Sequence, residues 1–169
     1  MVIISTIIVA ATTGYNQAIA AETKAQIKAK LNGEEVVPPV STTAEGKIKL
    51  KVKESNIKYK LNITGITDTT MVDIHEGLVG ENGEPVVDLL TDGNMQKTSN
   101  GLLINGSIVD SSLIGPMKGK TSSDFADSVN VGKIYVDVHT QTNPDGEIRG
   151  QLVTSVKNAT SAVEDDTEP

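Results

Sequence analysis

The sequence contains no cysteine and no tryptophan. The absence of cysteine excludes disulfide frameworks, thiolate nucleophiles and zinc sites with cysteine ligands. The few aromatic residues, Tyr15, Tyr59, Phe125 and Tyr135, provide little for stacking on single-stranded nucleic acid. The core must therefore be built mainly from Val, Ile and Leu.

Positive charge is also in short supply. The 169 residues include 15 Lys and Arg against 22 Asp and Glu, and the formal net charge at pH 7 is −7. Such a chain lacks the positive surface expected of a protein that follows a phosphate backbone, so we expect no nucleic acid partner. The length suits one domain with an ordinary hydrophobic core.

An apolar segment without charge, residues 2–13, precedes the small residues Ala18-Ile19-Ala20. This arrangement is typical of a secretory signal peptide with an A-x-A cleavage site. About twelve apolar residues form roughly 18 Å of helix, which is less than the ~30 Å hydrocarbon core, so we expect no transmembrane span in the mature protein. We predict a signal peptide over residues 1–21, with an N-terminal anchor as the alternative, and a secreted or envelope-associated protein.

Three N-x-S/T sequons begin at Asn62, Asn105 and Asn158. In an exported chain these asparagines are candidate glycosylation sites. Sequons also arise by chance in a chain that is rich in Thr, Ser and Asn. The sequence leaves both interpretations open.

Apolar and polar residues alternate along much of the chain, which predicts β-strands. Residues 46–53 and 57–64 both alternate, and the polar residues between them predict a β-hairpin over 46–64. Residues 27–31 predict an edge strand, because Pro38-Pro39 would prevent continued ladder pairing. Further strands are predicted at about 70–76, 85–90, 101–109, 131–139 and 146–154.

These strands, about eight in number, indicate an all-β domain over residues 24–155. Short strands separated by turn residues favour an antiparallel β-sandwich or a Greek-key barrel. One short helix is predicted from Ser122 to Val129, since Thr121 suits an N-cap and Phe125 lies four residues before Val129. Residues 156–169 have no apolar pattern and are predicted to be a disordered acidic tail.

Both histidines occur in an Asp-x-His pattern on a predicted strand. The two segments are Asp73-Ile74-His75 and Asp137-Val138-His139. Residues two apart on a strand share a face, so each strand presents a carboxylate and an imidazole together, on the outer face of the sheet. If the strands approach one another, Asp73, His75, Asp137 and His139 form a candidate site for zinc or copper.

A purely structural interpretation competes with the metal site. Pairing the strand that ends at His139 with the strand that starts at Glu147 places Glu147 opposite His139 and Arg149 opposite Asp137. Cross-strand pairs of opposite charge stabilise a sheet by about 0.2–1 kcal/mol and require no cofactor. The distance between the two imidazoles distinguishes the metal site from the structural interpretation. Nitrogens bound to one zinc ion at ~2.0–2.1 Å must lie within roughly 4–5 Å of each other.

No other pattern in the sequence is typical of a catalytic site. There is no G-x-S-x-G segment and no Gly-rich phosphate loop between a strand and a helix. The acidic loops at residues 81–84 and 143–146 lack the ligand spacing of an EF-hand and are more simply turns. We expect no catalytic residues and no enzymatic activity.

Three motifs of the sequence resemble the CHRD (chordin) domain family. Residues 31–40 read LNGEEVVPPV, similar to the opening L-S-G-x-x-E-V-P-P-V, and residues 73–77 read DIHEG, similar to H-I-H-x-G. Residues 135–152 contain YVDVHT and NPDGEIRGQL, similar to the closing Y-V-N-V-H-T and N-P-x-G-E-I-R-G-Q-L. The sequence departs from these motifs at Asp73 for the first His, Asp137 for the Asn and Val36 for the Glu.

The resemblance implies an extracellular β-sandwich module without a general catalytic activity. Such modules stand alone in many microbial proteins and form repeats in chordin, which binds growth factors outside cells. The first hypothesis is therefore a secreted, non-catalytic binding or cell-envelope structural module that needs no cofactor and whose partner is an extracellular protein or an envelope component. The alternative is a zinc- or copper-binding module, since the two Asp-x-His strands also look like the metal-binding strands of copper/zinc superoxide dismutases.

Overall fold

The computed structural model describes residues 25–53, 56–91 and 93–156. Within these ranges the chain forms ten strands, the α-helix α1 (Ser122–Asn130) and 3-10 helices at Gly33–Glu35, Asp110–Ser112 and Gly115–Met117. The strands are β1 (Ala25–Leu31), β2 (Glu45–Lys53), β3 (Asn56–Thr64), β4 (Thr69–Glu76), β5 (Pro85–Asp88), β6 (Asn94–Thr98), β7 (Gly101–Ile108), β8 (Ile134–Thr140), β9 (Ile148–Gln151) and β10 (Val153–Val156). The predicted signal peptide, all but the first residue of the predicted tail and the sequon at Asn158 lie outside the described residues.

The strands form two antiparallel sheets. The larger sheet has six strands in the order β10-β1-β2-β3-β7-β6, and the smaller sheet has four in the order β5-β4-β8-β9. The sheets pack as a sandwich and do not close into a barrel. Of the two predicted architectures, the sandwich is confirmed.

Alternating side chains position the six-stranded sheet over the core. β2 and β3 pair from Glu45–Thr64 to Lys53–Asn56, as predicted for the hairpin. Every second residue is buried from Gly46 to Leu50 and from Ile57 to Ile63, and the pair Leu50–Tyr59 is typical of the inner face. Burial of an aliphatic or aromatic side chain of this size contributes about 1.5–3 kcal/mol, so the alternation fixes which face of the sheet packs inward.

Two predictions about strand position were wrong. β1 is not an edge strand, because it pairs with β2 on one side and with β10 on the other. The predicted strand over 146–154 is divided at the buried residue Leu152, where the chain passes from β9 in the small sheet to β10 in the large sheet. β1 ends at Leu31, before the 3-10 helix at Gly33–Glu35. Pro38-Pro39 lie beyond that helix, so they leave both edges of β1 free to pair.

The sequence pattern missed β6 and found α1. All five residues of β6 are exposed, so this edge strand has no apolar alternation to detect. In α1, the Thr121 hydroxyl accepts a hydrogen bond from the Asp124 backbone, and the Asp124 carboxylate accepts one from the Thr121 backbone. Phe125 and Val129 are buried on its inner side. No helix in the described part of the chain is long and apolar enough to cross a membrane.

Candidate metal centre

The two Asp-x-His segments lie on neighbouring strands in the small sheet. β4 and β8 pair antiparallel, with Asp73 opposite Asp137 and His75 opposite Tyr135. His139 lies opposite Met71, at the other end of the same ladder segment. The two imidazoles lean toward each other from these positions, and their ring centroids are 6.0 Å apart.

Three of the four predicted ligands converge. The ligand atoms of Asp73, His75 and His139 all lie within 4.8 Å of one another. Zinc binds imidazole nitrogen and carboxylate oxygen at about 2.0–2.2 Å, so a small contraction would place all three around one ion. Asp137 is not part of this group, and its Oδ1 accepts a hydrogen bond from the backbone N–H of Val138 at 2.9 Å.

Backbone carbonyls determine which imidazole nitrogen carries the proton. His75 Nδ1 lies 3.0 Å from the Gly83 carbonyl oxygen, and His139 Nδ1 lies 2.9 Å from the Pro144 carbonyl oxygen. A carbonyl only accepts, so each Nδ1 donates and the Nε2 of each neutral ring keeps its lone pair. Both Nε2 atoms are buried and have no hydrogen-bond partner among the described residues. Metal-ligating histidines in proteins almost always have their second nitrogen bonded in this way.

Loop 77–84, between β4 and β5, holds the partner of His75. The register between β4 and β5 shifts at Ile74/His75, and such a bulge changes the direction of a side chain. A Cβ atom at Gly83 would lie 1.6 Å from the Glu76 carbonyl oxygen, so only glycine allows the loop to approach β4 this closely.

Loop 141–147, between β8 and β9, holds the partner of His139. The Glu147 carboxylate accepts hydrogen bonds from the hydroxyls of Thr42 and Thr140 and from the side-chain amide of Asn143. These bonds keep the loop closed over β8. Glu147 therefore holds the loop and does not form the cross-strand pair with His139 that the structural interpretation predicted.

Arg149 fastens loop 77–84 to the sheet. Its guanidinium donates to the Asn82 side-chain oxygen at 3.0 Å and to the carbonyls of Leu78 and Glu81 at 3.2 and 2.8 Å. Arg149 is opposite Asp137 in the β8–β9 ladder, as predicted. The predicted ion pair is nevertheless absent from the described contacts, because the guanidinium extends to the loop carbonyls instead.

Tyr135 connects this anchor to the candidate ligands. Its ring stacks on the His75 imidazole, with a centroid distance of 5.0 Å and an interplanar angle of 12°. Its hydroxyl accepts a hydrogen bond from the Gly83 backbone N–H at 3.0 Å. Gly83 is thus bonded both to the tyrosine and to the histidine that stack on each other.

The cluster lies on the outer side of its sheet but is not exposed. Every residue of β8 is buried, since loops 77–84 and 141–147 cover the face opposite Val136 and Val138. Asp73 exposes 4% of its surface and His75 only 9%. Sequence reasoning identified the candidate ligands but missed Gly83, Pro144 and the anchoring role of Arg149, because carbonyl acceptors and loop contacts leave no residue pattern of their own.

Burial disfavours charge on Asp73 of this cluster and on the neighbouring Asp137. It raises the pKa of Asp73 to about 6, with the nearby Asp88 carboxylate adding to the effect and His139 opposing it. Burial also raises the pKa of Asp137 to about 6, against the opposing influence of His139 and Arg149. Burial lowers the pKa of His75. A cation bound among these groups would compensate the buried negative charge.

These features define a two-sheet β-sandwich with a buried Asp-His-His cluster beneath two loops. The sequence model of the CHRD domain matches residues 27–152, from β1 to the residue that links β9 and β10. The chain therefore belongs to the CHRD domain family. No curated protein and no solved structure matches the chain significantly.

Proposed function

We propose that this CHRD domain is a secreted, non-catalytic module that binds one zinc or copper ion through Asp73, His75 and His139. The observation that carries the proposal is the pair of buried Nε2 atoms that lack any partner among the described residues. Their lone pairs and the Asp73 carboxylate are all acceptors within 4.8 Å of one another, so one cation between them would satisfy all three.

The donor set suits zinc and copper. Neutral imidazole binds both metals well, and a carboxylate is an acceptable third ligand. The carbonyls of Gly83 and Pro144 would orient the two rings, as outer ligands do in known metal sites. A divalent ion there would supply the positive charge that the two buried carboxylates lack.

A structural role for the ion is favoured over a catalytic role. Catalytic zinc sites keep one position open to substrate, whereas both Nε2 atoms of this cluster are buried. Dismutation would also need access for its substrate and a redox metal, and the cluster offers only two imidazoles. We therefore propose that the domain is not an enzyme.

The ion would connect loops 77–84 and 141–147 through the two histidines. We propose that the surface formed by these loops contacts an extracellular protein or an envelope component. The apolar N-terminal segment before residue 21 supports export to the compartment where such partners occur.

Metal content measured by mass spectrometry tests the proposal. The protein is purified without an affinity tag, dialysed against equimolar zinc and copper, and compared with the His75→Ala/His139→Ala variant. We expect about one ion per chain in the original protein and almost none in the variant.

A matched control removes two carboxylates from the same two loops. Glu84 and Asp145 are exposed, and the Glu84→Ala/Asp145→Ala variant should keep its metal. If the variant without both histidines keeps its metal and this control loses it, the metal binds to the acidic loops and not to the histidines. A protein that takes up no metal under any of these conditions would leave the histidines with a structural role only.

A further inference from the structure

The outer surface of β1, β2 and β3 carries a dense set of lysines, here called the lysine face. Every second residue of these strands points away from the core. Eight exposed lysines occupy these positions: Lys28, Lys30, Lys47, Lys49, Lys51, Lys53, Lys58 and Lys60.

The strand register places like charges directly opposite each other. Lys49 lies between Lys28 on β1 and Lys60 on β3, so three ammonium groups form one row across the sheet. Two further pairs are Lys30–Lys47 and Lys51–Lys58. Like charges at opposite positions destabilise a sheet, so this arrangement works against folding.

Among the described residues, almost no carboxylate lies on this face to relieve the repulsion. Glu45, at the end of β2, is the one acidic residue at an outward position of the three strands within the described ranges. None of the eight lysines has an ion-pair partner among the described residues. Eight of the 15 Lys and Arg residues therefore lie on this one surface of a chain whose net charge is −7.

Protection against aggregation does not account for the pattern. Lysines that prevent sheet-to-sheet association belong on edge strands, where backbone groups are unpaired. β1, β2 and β3 are all interior strands of the six-stranded sheet. The edge strand β10 has no lysine in Val153–Val156, and the other edge strand, β6, has only Lys97.

A groove crosses part of the lysine face. It has a volume of about 330 Å³ and is lined by Lys28, Lys30, Lys47, Lys49, Gln151 and Val153, together with Ala29 and Ile48. Aliphatic lysine stems form apolar walls while their ammonium groups remain in solvent. An apolar floor with a cationic rim fits a sugar ring that carries a carboxylate or a sulfate.

We propose that the lysine face binds an anionic polysaccharide. Outward positions two apart along a strand are about 6.6–6.8 Å apart and neighbouring strands are about 4.7–4.9 Å apart, so the lysines can contact successive acidic sugars of one polymer. The outward positions of the three strands have no aromatic or large aliphatic residue that could insert into a lipid layer or stack on a nucleic acid base.

Two sequons border this surface. Asn105 lies opposite Lys60, and Asn62 lies opposite Lys47, with both side chains exposed. Glycans at these positions would cover part of the lysine face. The test therefore uses protein made in a host that does not add N-linked glycans.

Binding to polygalacturonate and to dextran sulfate, measured by titration calorimetry, tests the proposal. The Lys28→Gln/Lys49→Gln/Lys60→Gln variant removes one row of the face. The control, Lys97→Gln/Lys118→Gln/Lys120→Gln, removes three exposed lysines elsewhere and changes the net charge equally. We expect binding to weaken at least about tenfold in the row variant and less than about twofold in the control, and to weaken as salt is added.

The row variant should fold at least as well as the original protein, because it removes like-charge pairs. Equal losses in both variants, or no binding to either polymer, would overturn the proposal. Stronger binding to vesicles of phosphatidylserine and phosphatidylcholine than to either polymer would assign the face to a membrane instead. Self-association that is lost only in the row variant would assign the face to a second copy of the chain. The His75→Ala/His139→Ala variant should bind the polymers normally, which separates this inference from the proposed metal site.

Discussion

The guanidinium carbon of Arg149 lies 3.5 Å from the centroid of the Tyr135 ring. Arg149 is 2% exposed and its guanidinium donates hydrogen bonds to loop 77–84. Tyr135 stacks on His75. Buried cation–π contacts of this kind stabilise by about 2 kcal/mol. Arg149 is thus a positioning residue, which holds the loop whose carbonyl orients the His75 ring.

Replacement of Arg149 by lysine should loosen this loop even though the charge is kept. One ammonium group cannot reproduce the planar, forked contacts to Asn82 and to the Leu78 and Glu81 carbonyls. We expect the free energy of unfolding to fall by about 2–3 kcal/mol in urea, because buried acceptors lose their donors. Zinc affinity should fall by about tenfold. The exchange Lys133→Arg, at an exposed position, is the control and should change neither quantity.

The Gly83→Ala substitution tests whether the loop must approach β4 closely. The added methyl group would lie 1.6 Å from the Glu76 carbonyl oxygen, so the loop has to move away and the bond from His75 Nδ1 is lost. We expect destabilisation of about 2–4 kcal/mol and weaker zinc binding. Gly80, in the same loop, has open space around its Cβ position but has a φ of +81°, so Gly80→Ala should be strained without displacing β4. Equal loss of zinc binding in Gly83→Ala and Gly80→Ala would mean that zinc binding does not depend on the close approach of Gly83 to β4.

The sequence predicted the residues of the Asp-His-His cluster better than their surroundings. Strict alternation in β2 and β3 leaves one register that buries Leu50 and Tyr59, so the hairpin could be predicted from these residues alone. The Asp-x-His spacing likewise identified Asp73, His75 and His139, since residues two apart must share a face. Adjacency of β4 and β8 could not be predicted, because strand order depends on how distant segments pack.

Local patterns also failed where tertiary contacts override them. Arg149 and Asp137 are opposite each other as the spacing predicts, yet the guanidinium bonds to loop 77–84 because the loop folds back over β8. Burial of the whole of β8 has the same cause. A pattern along one strand records which residues share a face but not what covers that face.

The Asp73→Asn substitution should stabilise the metal-free protein at neutral pH. The pKa of Asp73 is about 6 in the folded chain against 3.8 as the ordinary value, so ionisation favours the unfolded state as pH rises between these values. The increase in the free energy of unfolding caused by asparagine should therefore be near zero at pH 4 and grow up to about pH 6. Above pH 6 it should stay constant, at on the order of 1–2 kcal/mol. Urea unfolding in EDTA across this pH range measures it. With zinc present the sign should reverse, because asparagine removes an anionic ligand.

Zinc should raise the melting temperature of the original protein at pH 7.5 but not at pH 5. An ion that binds only the folded state at one hundred times its Kd stabilises by about 2.7 kcal/mol, which corresponds to about 5–10 °C for a domain of this size. The effect should vanish in acid because the imidazoles and Asp73 must be deprotonated to bind the metal. Differential scanning calorimetry with and without zinc at both pH values measures the shift.

The His75→Ala/His139→Ala variant should show no shift in melting temperature at either pH, and the Glu84→Ala/Asp145→Ala variant should behave as the original protein. A shift of equal size in the double histidine variant would mean that zinc stabilises the domain from another site.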